Sequence, residues 1–122
     1  MNVGEKMIVG IGVDLVELYR MEKIIKESPR FVQKVLTPEE YRCFEQKKGR
    51  HQVEYLAGRF AAKEAFSKAW GTGIGKLTFQ DIEILNEANG RPYVAFSPHT
   101  GRVHISLSHS EMQAIAYVIL EK

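Results

Sequence analysis

The sequence holds a single cysteine, Cys43, in 122 residues. One thiol excludes a disulfide framework and any cysteine-rich zinc site. Long apolar runs are also missing. Stretches such as residues 115–120 are far too short to cross a bilayer, so no membrane partner is expected. The net charge is only +2 with four histidines, too little to argue for nucleic acid. No basic start followed by an apolar signal segment opens the chain, and the expected compartment is the cytoplasm. No internal repeat, low-complexity tract or linker interrupts it. What is there is globular: hydrophobic residues make up 44% and charged residues 26%, at a length that suits one domain. Lys and Arg recur through residues 20–34, 47–50 and 59–68, interleaved with acids. That pattern reads as a mixed solvated surface, or as local basic spots for an anionic partner.

Residues 1–6 read as a flexible polar lead-in, and residues 7–122 as a single domain. Residues 7–13 (MIVGIGV) are apolar and β-branched and predict a buried strand. Asp14 is expected to cap a helix to about residue 27, with an apolar face of Leu15, Val16, Leu18, Met21, Ile24 and Ile25. Ser28 and Pro29 stop it, and residues 30–35 add a turn or two. Thr37-Pro38-Glu39-Glu40 is a helix start with a capping box, for a helix ending near residues 48–49. A longer helix should span residues 51–70 and end on Gly71 as a left-handed cap. Residues 79–85 and 93–96 predict strands joined through Asn89 and Gly90. Residues 103–107 and 114–120 predict an antiparallel hairpin. One strand, then helices, then a run of antiparallel strands predicts an α+β fold.

Four stretches could carry chemistry. In residues 10–17 (GIGVDLVE), Asp14 at a strand end is well placed to hold a metal, and two glycines admit close approach of a ligand or another backbone. The plain alternative is a helix cap completed by Glu17. In residues 58–69 (GRFAAKEAFSKA), Glu64 and Lys68 share one helix face at i and i+4. As a surface pair they would contribute about 0.3–0.5 kcal/mol. The small neighbours Ala61, Ala62 and Ala65 let something pack against them, and a carboxylate beside an ammonium suits a magnesium-bound phosphate. The glycine-rich residues 71–76 follow a helix, whereas phosphate-binding fingerprints follow a strand. Leu77 stands where a Walker motif needs Ser or Thr, so this is a helix stop with an exit. Residues 104–110 (HISLSHS) put His104, Ser106 and Ser108 on one face and His109 on the other. They lack the Gly-x-Ser-x-Gly elbow of a hydrolase, and the histidines lack zinc-protease spacing.

In this order, GIGVDLVEL at residues 10–18, LAGRFAAKEAFSKAWGTGIG at 56–75, FQDIEILNEANGRPYV at 79–94 and VHISLSHS at 103–110 resemble the holo-acyl-carrier-protein synthases, the small 4′-phosphopantetheinyl transferases. The resemblance runs from about residue 7 to residue 122. It implies a transferase that moves 4′-phosphopantetheine from coenzyme A to a serine of apo-acyl-carrier protein, releasing adenosine 3′,5′-bisphosphate, in support of fatty acid biosynthesis. It implies the phosphopantetheinyl transferase fold, assembled as a homotrimer with active sites at subunit interfaces. Asp14 and Glu64 then correspond to the ligands of magnesium (Mg2+). Lys68 corresponds to the residue that neutralises the diphosphate and protonates the leaving phosphate, and Glu64 is the candidate base. Arg50, His51, Arg59 and His109 correspond to contacts with the 3′-phosphate and nucleotide of coenzyme A. Gly90 and Pro92 correspond to a turn on the adenine side, supplied by a neighbouring subunit. Arg20, Met21, Lys23 and Arg30 correspond to a docking face for the acidic carrier protein, which salt should weaken. Two other classes stand beside this reading: a non-catalytic carrier-protein or nucleotide adaptor, which loss of turnover with retained binding in Glu64→Ala would exclude, and a magnesium-dependent nucleotide hydrolase, which would release phosphate without a carrier.

Overall fold

The computed structural model describes residues 7–122. The lead-in expected over residues 1–6 lies outside the described residues. Strand β1 (Ile8–Glu17) is followed by four helices, α1 (Leu18–Glu27), α2 (Pro29–Val35), α3 (Pro38–Glu45) and α4 (Arg50–Trp70). After a 3-10 turn at Phe79–Asp81 come β2 (Glu83–Asn86), β3 (Pro92–Phe96), β4 (Val103–His109) and β5 (Gln113–Glu121). The sheet has the order β1-β5-β4, antiparallel throughout, and β2 and β3 form a separate antiparallel hairpin.

Helix α4 lies on the inner face of the three-stranded sheet, and the core forms between them. Ala61, Ala62 and Ala65 of α4 meet Ala114, Ala116 and Val118 of β5, all essentially inaccessible to water. Small side chains on both surfaces permit a close helix-to-sheet approach. Gly71 closes α4 at φ +98°, its amide donating to Ser67 and Lys68 carbonyls, as a left-handed glycine cap does.

The Thr37–Glu40 capping box forms. It is also one corner of a buried polar hub. Lys63 of α4 donates its three ammonium hydrogens to Glu40 Oε1 (2.6 Å), Val35 O (2.7 Å) and Phe79 O (3.0 Å). Glu40 also accepts from the amides of Thr37 (2.8 Å) and Ile84 (2.7 Å). Burial pushes the Lys63 pKa down, and the Glu40 carboxylate opposes that shift. Both side chains are fully buried, which such saturated hydrogen bonding makes tolerable. The hub ties α2, α3, α4 and β2 together.

Four local expectations change. Asp14 does not cap a helix. Strand β1 runs past it, pairing Asp14 with Ala116 and Glu17 with Gln113, and α1 starts only at Leu18. Long-range pairing with β5 overrides the local cap, and Glu17 instead accepts from Gln113 Nε2 at 2.8 Å. β1 is not buried on both sides. It is an edge strand covered by α4 on one face, so Ile11, Val13 and Leu15 project outward, each about half exposed. Residues 79–81 form a 3-10 turn under a second capping box, Thr78 with Asp81, so the strand begins at Glu83. α3 also ends earlier than expected, at Glu45.

Candidate active site

The carboxylate pair is assembled by two glycines. A Cβ at Gly10 would lie 2.2 Å from the Ala69 carbonyl oxygen, and one at Gly12 would lie 1.9 Å from that of Ala65. Without side chains there, β1 rests directly on the backbone of α4. Strand alternation puts Asp14 on the same inward face as Gly10 and Gly12. Its carboxylate therefore emerges over α4 beside Glu64 and Lys68.

Lys68 Nζ donates to Asp14 Oδ1 at 3.1 Å and to Val13 O at 3.0 Å. The charged partner it reaches thus lies in β1, fifty-four residues away, rather than one turn back on its own helix. Glu64 is half-buried, and its pKa is raised first by that burial and then by the Asp14 carboxylate. Lys68 and Arg20 oppose the shift. A carboxylate whose charge is disfavoured by a neighbouring carboxylate suits a divalent cation between the two. Among the described residues no group of three or more acidic, histidine or cysteine side chains is arranged to hold a metal ion by itself. An ion held here would rest on two carboxylates, with its other positions left to water and phosphate oxygen, as magnesium prefers.

A groove of about 860 Å³ opens between the start of α4, the β2–β3 turn and the end of β4. His51, Arg59, Gly90 and His109 line it, together with Lys47, Lys48 and Glu54. Arg59 is buried, with its guanidinium 4.2 Å from the Tyr55 ring centre. Its Nε donates to Ile84 O at 3.2 Å and one terminal nitrogen to Asn86 Oδ1. Asn86 in turn donates to Gly90 O at 2.8 Å, so α4 and the turn are tied into one wall. Burial pushes the Tyr55 hydroxyl pKa up, so Tyr55 stays neutral and serves through its ring. The turn lies on the same chain as Arg59 and His109.

The structure separates some of the expected groups. Arg50 lines a different cleft, of about 390 Å³ beside α1, where it donates to the Glu111 carbonyl and to Glu54. Pro92 opens β3 and is absent from the groove's lining, as are Asp14, Glu64 and Lys68. On the helical side, Arg20, Lys23 and Arg30 are exposed, with Arg20 over the Phe60 ring at 5.7 Å. Met21 is a correction: its accessibility is 0%, because the α1 face that packs on the core includes it, so it cannot touch a docked partner. The residue reading overlooked Glu54, Asn86 and the Lys63–Glu40 hub. The i+3 and i+4 spacing of Glu54 from His51 and Arg50 was the available signal for the first. Nothing local marks the other two.

Residues 10–119 match the family model of the 4′-phosphopantetheinyl transferase superfamily. The chain is 57% identical over 115 residues to the holo-[acyl-carrier-protein] synthase of Enterococcus faecalis, covering 94% of this chain and 98% of that protein. It resembles the crystal structure of the Bacillus anthracis holo-(acyl-carrier-protein) synthase in complex with CoA (3′,5′-ADP), with a TM-score of 0.90 and 47% identity over 95% of this chain and 98% of that one. It also resembles the Helicobacter pylori holo-[acyl-carrier-protein] synthase in complex with coenzyme A, with a TM-score of 0.78 and 34% identity over 90% of this chain and 98% of that one.

Proposed function

The chain belongs to the 4′-phosphopantetheinyl transferase superfamily, and from that premise we propose how its residues divide the work of its reaction. The reaction is transfer of the 4′-phosphopantetheine arm of coenzyme A to a serine hydroxyl of apo-acyl-carrier protein, releasing adenosine 3′,5′-bisphosphate. The bond formed joins the serine oxygen to the phosphorus of the arm. The bond broken joins that phosphorus to the bridging oxygen, which leaves with the bisphosphate. Such a displacement needs in-line positioning and charge neutralisation more than covalent help from the protein.

Asp14 and Glu64 would hold magnesium, which when bound would supply Lewis acidity and orientation at the diphosphate. Lys68, already at the Asp14 carboxylate, turns to the diphosphate and donates to the departing oxygen. Glu64 takes the serine proton, directly or through a bound water. His51, Arg59 and His109, with Gly90 across from them, hold the 3′-phosphate and nucleotide in the groove. Arg20, Lys23 and Arg30 receive the acidic carrier protein, an attraction that salt weakens.

The protein works as a homotrimer. Ile11, Val13 and Leu15 of β1 and Ile115 and Tyr117 of β5 form an outward apolar sheet face, each 40–55% exposed. A face of that kind favours cover by further copies. Asp14, Glu64 and Lys68 lie outside the groove's lining, which supports a site completed at the boundary between copies. No helix among the described residues is long and apolar enough to cross a membrane, and the compartment we propose is the cytoplasm.

The observation that carries this reading is the convergence of Asp14, Glu64 and Lys68 across the Gly12–Ala65 contact. The test is incubation with magnesium, coenzyme A and apo-acyl-carrier protein, followed by mass spectrometry of the carrier. A gain of one phosphopantetheine is expected, abolished in Glu64→Ala with carrier binding retained. A carrier of unchanged mass refutes the reading.

A further inference from the structure

A carboxylate stands in the middle of the basic groove. Glu54 lies on α4 with its side chain 17% exposed, and three cation-forming side chains converge on it. Arg50 Nε donates to its Oε2 at 3.2 Å. His51 Nδ1 lies 3.6 Å from Oε1, and His109 Nδ1 lies 3.7 Å from Oε2. Simple electrostatics gives Glu54 one role, repulsion of any phosphate that enters. The geometry points elsewhere. Both imidazoles turn the same nitrogen, Nδ1, toward Glu54, which leaves Nε2 on the far side of each ring. At these distances the carboxylate acts on each ring by charge rather than by a hydrogen bond, and a ring drawn to it by one nitrogen turns the other away. Both rings are otherwise loosely held, with side chains 85% (His51) and 53% (His109) exposed, and each would lose rotamer freedom on binding a ligand. Arg50 adds a brace, because its second contact is the carbonyl of Glu111 in the turn that follows His109. Glu54 thereby couples the start of α4 to the end of β4.

We propose that Glu54 is a positioning residue that orients His51 and His109 toward the 3′-phosphate and so sets the preference for coenzyme A over the same nucleotide lacking that phosphate. The proposal rests on the assignment of the groove to the 3′-phosphate. Glu54 touches none of the reacting atoms, so its effect falls on KM and on selectivity rather than on kcat.

The experiment compares coenzyme A with 3′-dephospho-coenzyme A as substrates for the full-length protein and for Glu54→Gln, Glu54→Asp and His109→Ala, with melting temperatures read alongside. Glu54→Gln keeps the shape and removes the charge. It is expected to raise KM for coenzyme A up to about fivefold, the order of one part-exposed ion pair, with kcat within about twofold and KM for the dephospho substrate unchanged. Glu54→Asp restores part of the selectivity. A lower KM for coenzyme A in Glu54→Gln means that Glu54 merely repels phosphate and overturns the proposal. So does an equal rise for both substrates, which a purely structural role would give, and so does no change. If His109→Ala leaves the ratio of the two KM values intact, the assignment of the groove itself fails and the proposal falls with it. If His109→Ala collapses that ratio and Glu54→Gln does not, the proposal alone is wrong.

Discussion

Gly12→Ala should damage the transferase out of proportion to the single methyl group it adds. The new Cβ would meet three backbone atoms, Ala65 O at 1.9 Å and Ala65 C and Ala69 N at 2.9 Å, so no flexible side chain can move aside. Ordinary contact begins at 3.4 Å, and β1 must withdraw from α4 by about 1.5 Å to reach it. Overpacking of this kind costs about 1–3 kcal/mol. Asp14 sits two residues further along the same strand face and moves with it, away from Glu64 and Lys68. A misplacement of about 1 Å in a reacting constellation can cost about 100-fold in rate. The expected result is therefore a folded protein with a lowered melting temperature and a kcat/KM for coenzyme A down by about 100-fold. Circular dichroism reports the fold, thermal denaturation the stability, and mass gain of the carrier the activity. Gly58→Ala is the control for stability. Its Cβ finds its nearest neighbour, Leu107 Cδ1, at 3.7 Å, and alanine gains up to about 1 kcal/mol inside a helix. A Gly12→Ala protein with unaltered melting and turnover would refute the claim that direct strand-to-helix contact builds the site.

The buried hub gives a stability prediction. Lys63→Met should destabilise the fold by about 3–5 kcal/mol in urea titration, since Glu40 is left buried without its cation, and adding Glu40→Gln should recover part of the loss. Glu64→Gln should abolish transfer yet leave the magnesium-free protein at least as thermostable at neutral pH. The folded state holds the Glu64 proton to higher pH than the unfolded chain, so ionising Glu64 detracts from stability as pH rises through its folded pKa, and glutamine removes that loss. A clearly lower melting temperature for Glu64→Gln would contradict this. For the same reason, magnesium binding by the parent protein should weaken on acidification at a pH above the 4.5 of an ordinary glutamate, as calorimetric titration would report. Tyr117→Lys, on the outward face of β5, should reduce the sedimenting mass from three chains toward one and lower turnover with it; a trimer of full activity would overturn the interface assignment.

The pattern of apolar residues and the turn chemistry foretold the α+β order, the α3 capping box, the Gly71 cap and the β4–β5 hairpin. Each of these depends on residues within a few positions of one another. Position and spacing singled out Asp14, Glu64 and Lys68, the resemblance joined them in one site, and the motif glycines hinted at close approach without naming what approaches. Asp14 shows the limit. Its neighbours suit a helix cap equally well, and it became a strand residue because β5, a hundred residues later, pairs with it. Met21 shows the reverse. Helical periodicity placed it on the apolar face of α1, the resemblance assigned it to the docking face, and the packing followed the periodicity.

Composition and local pattern thus settled which segments form and which side chains could carry the reaction, because capping, alternation and turn geometry act between neighbours in the chain. Packing alone settled which of them meet. Lys68 with Asp14, Lys63 with Glu40 and Glu54 with His109 are pairs separated by many residues, and their contacts exist only where α4 is pressed against β1, α3 and β4.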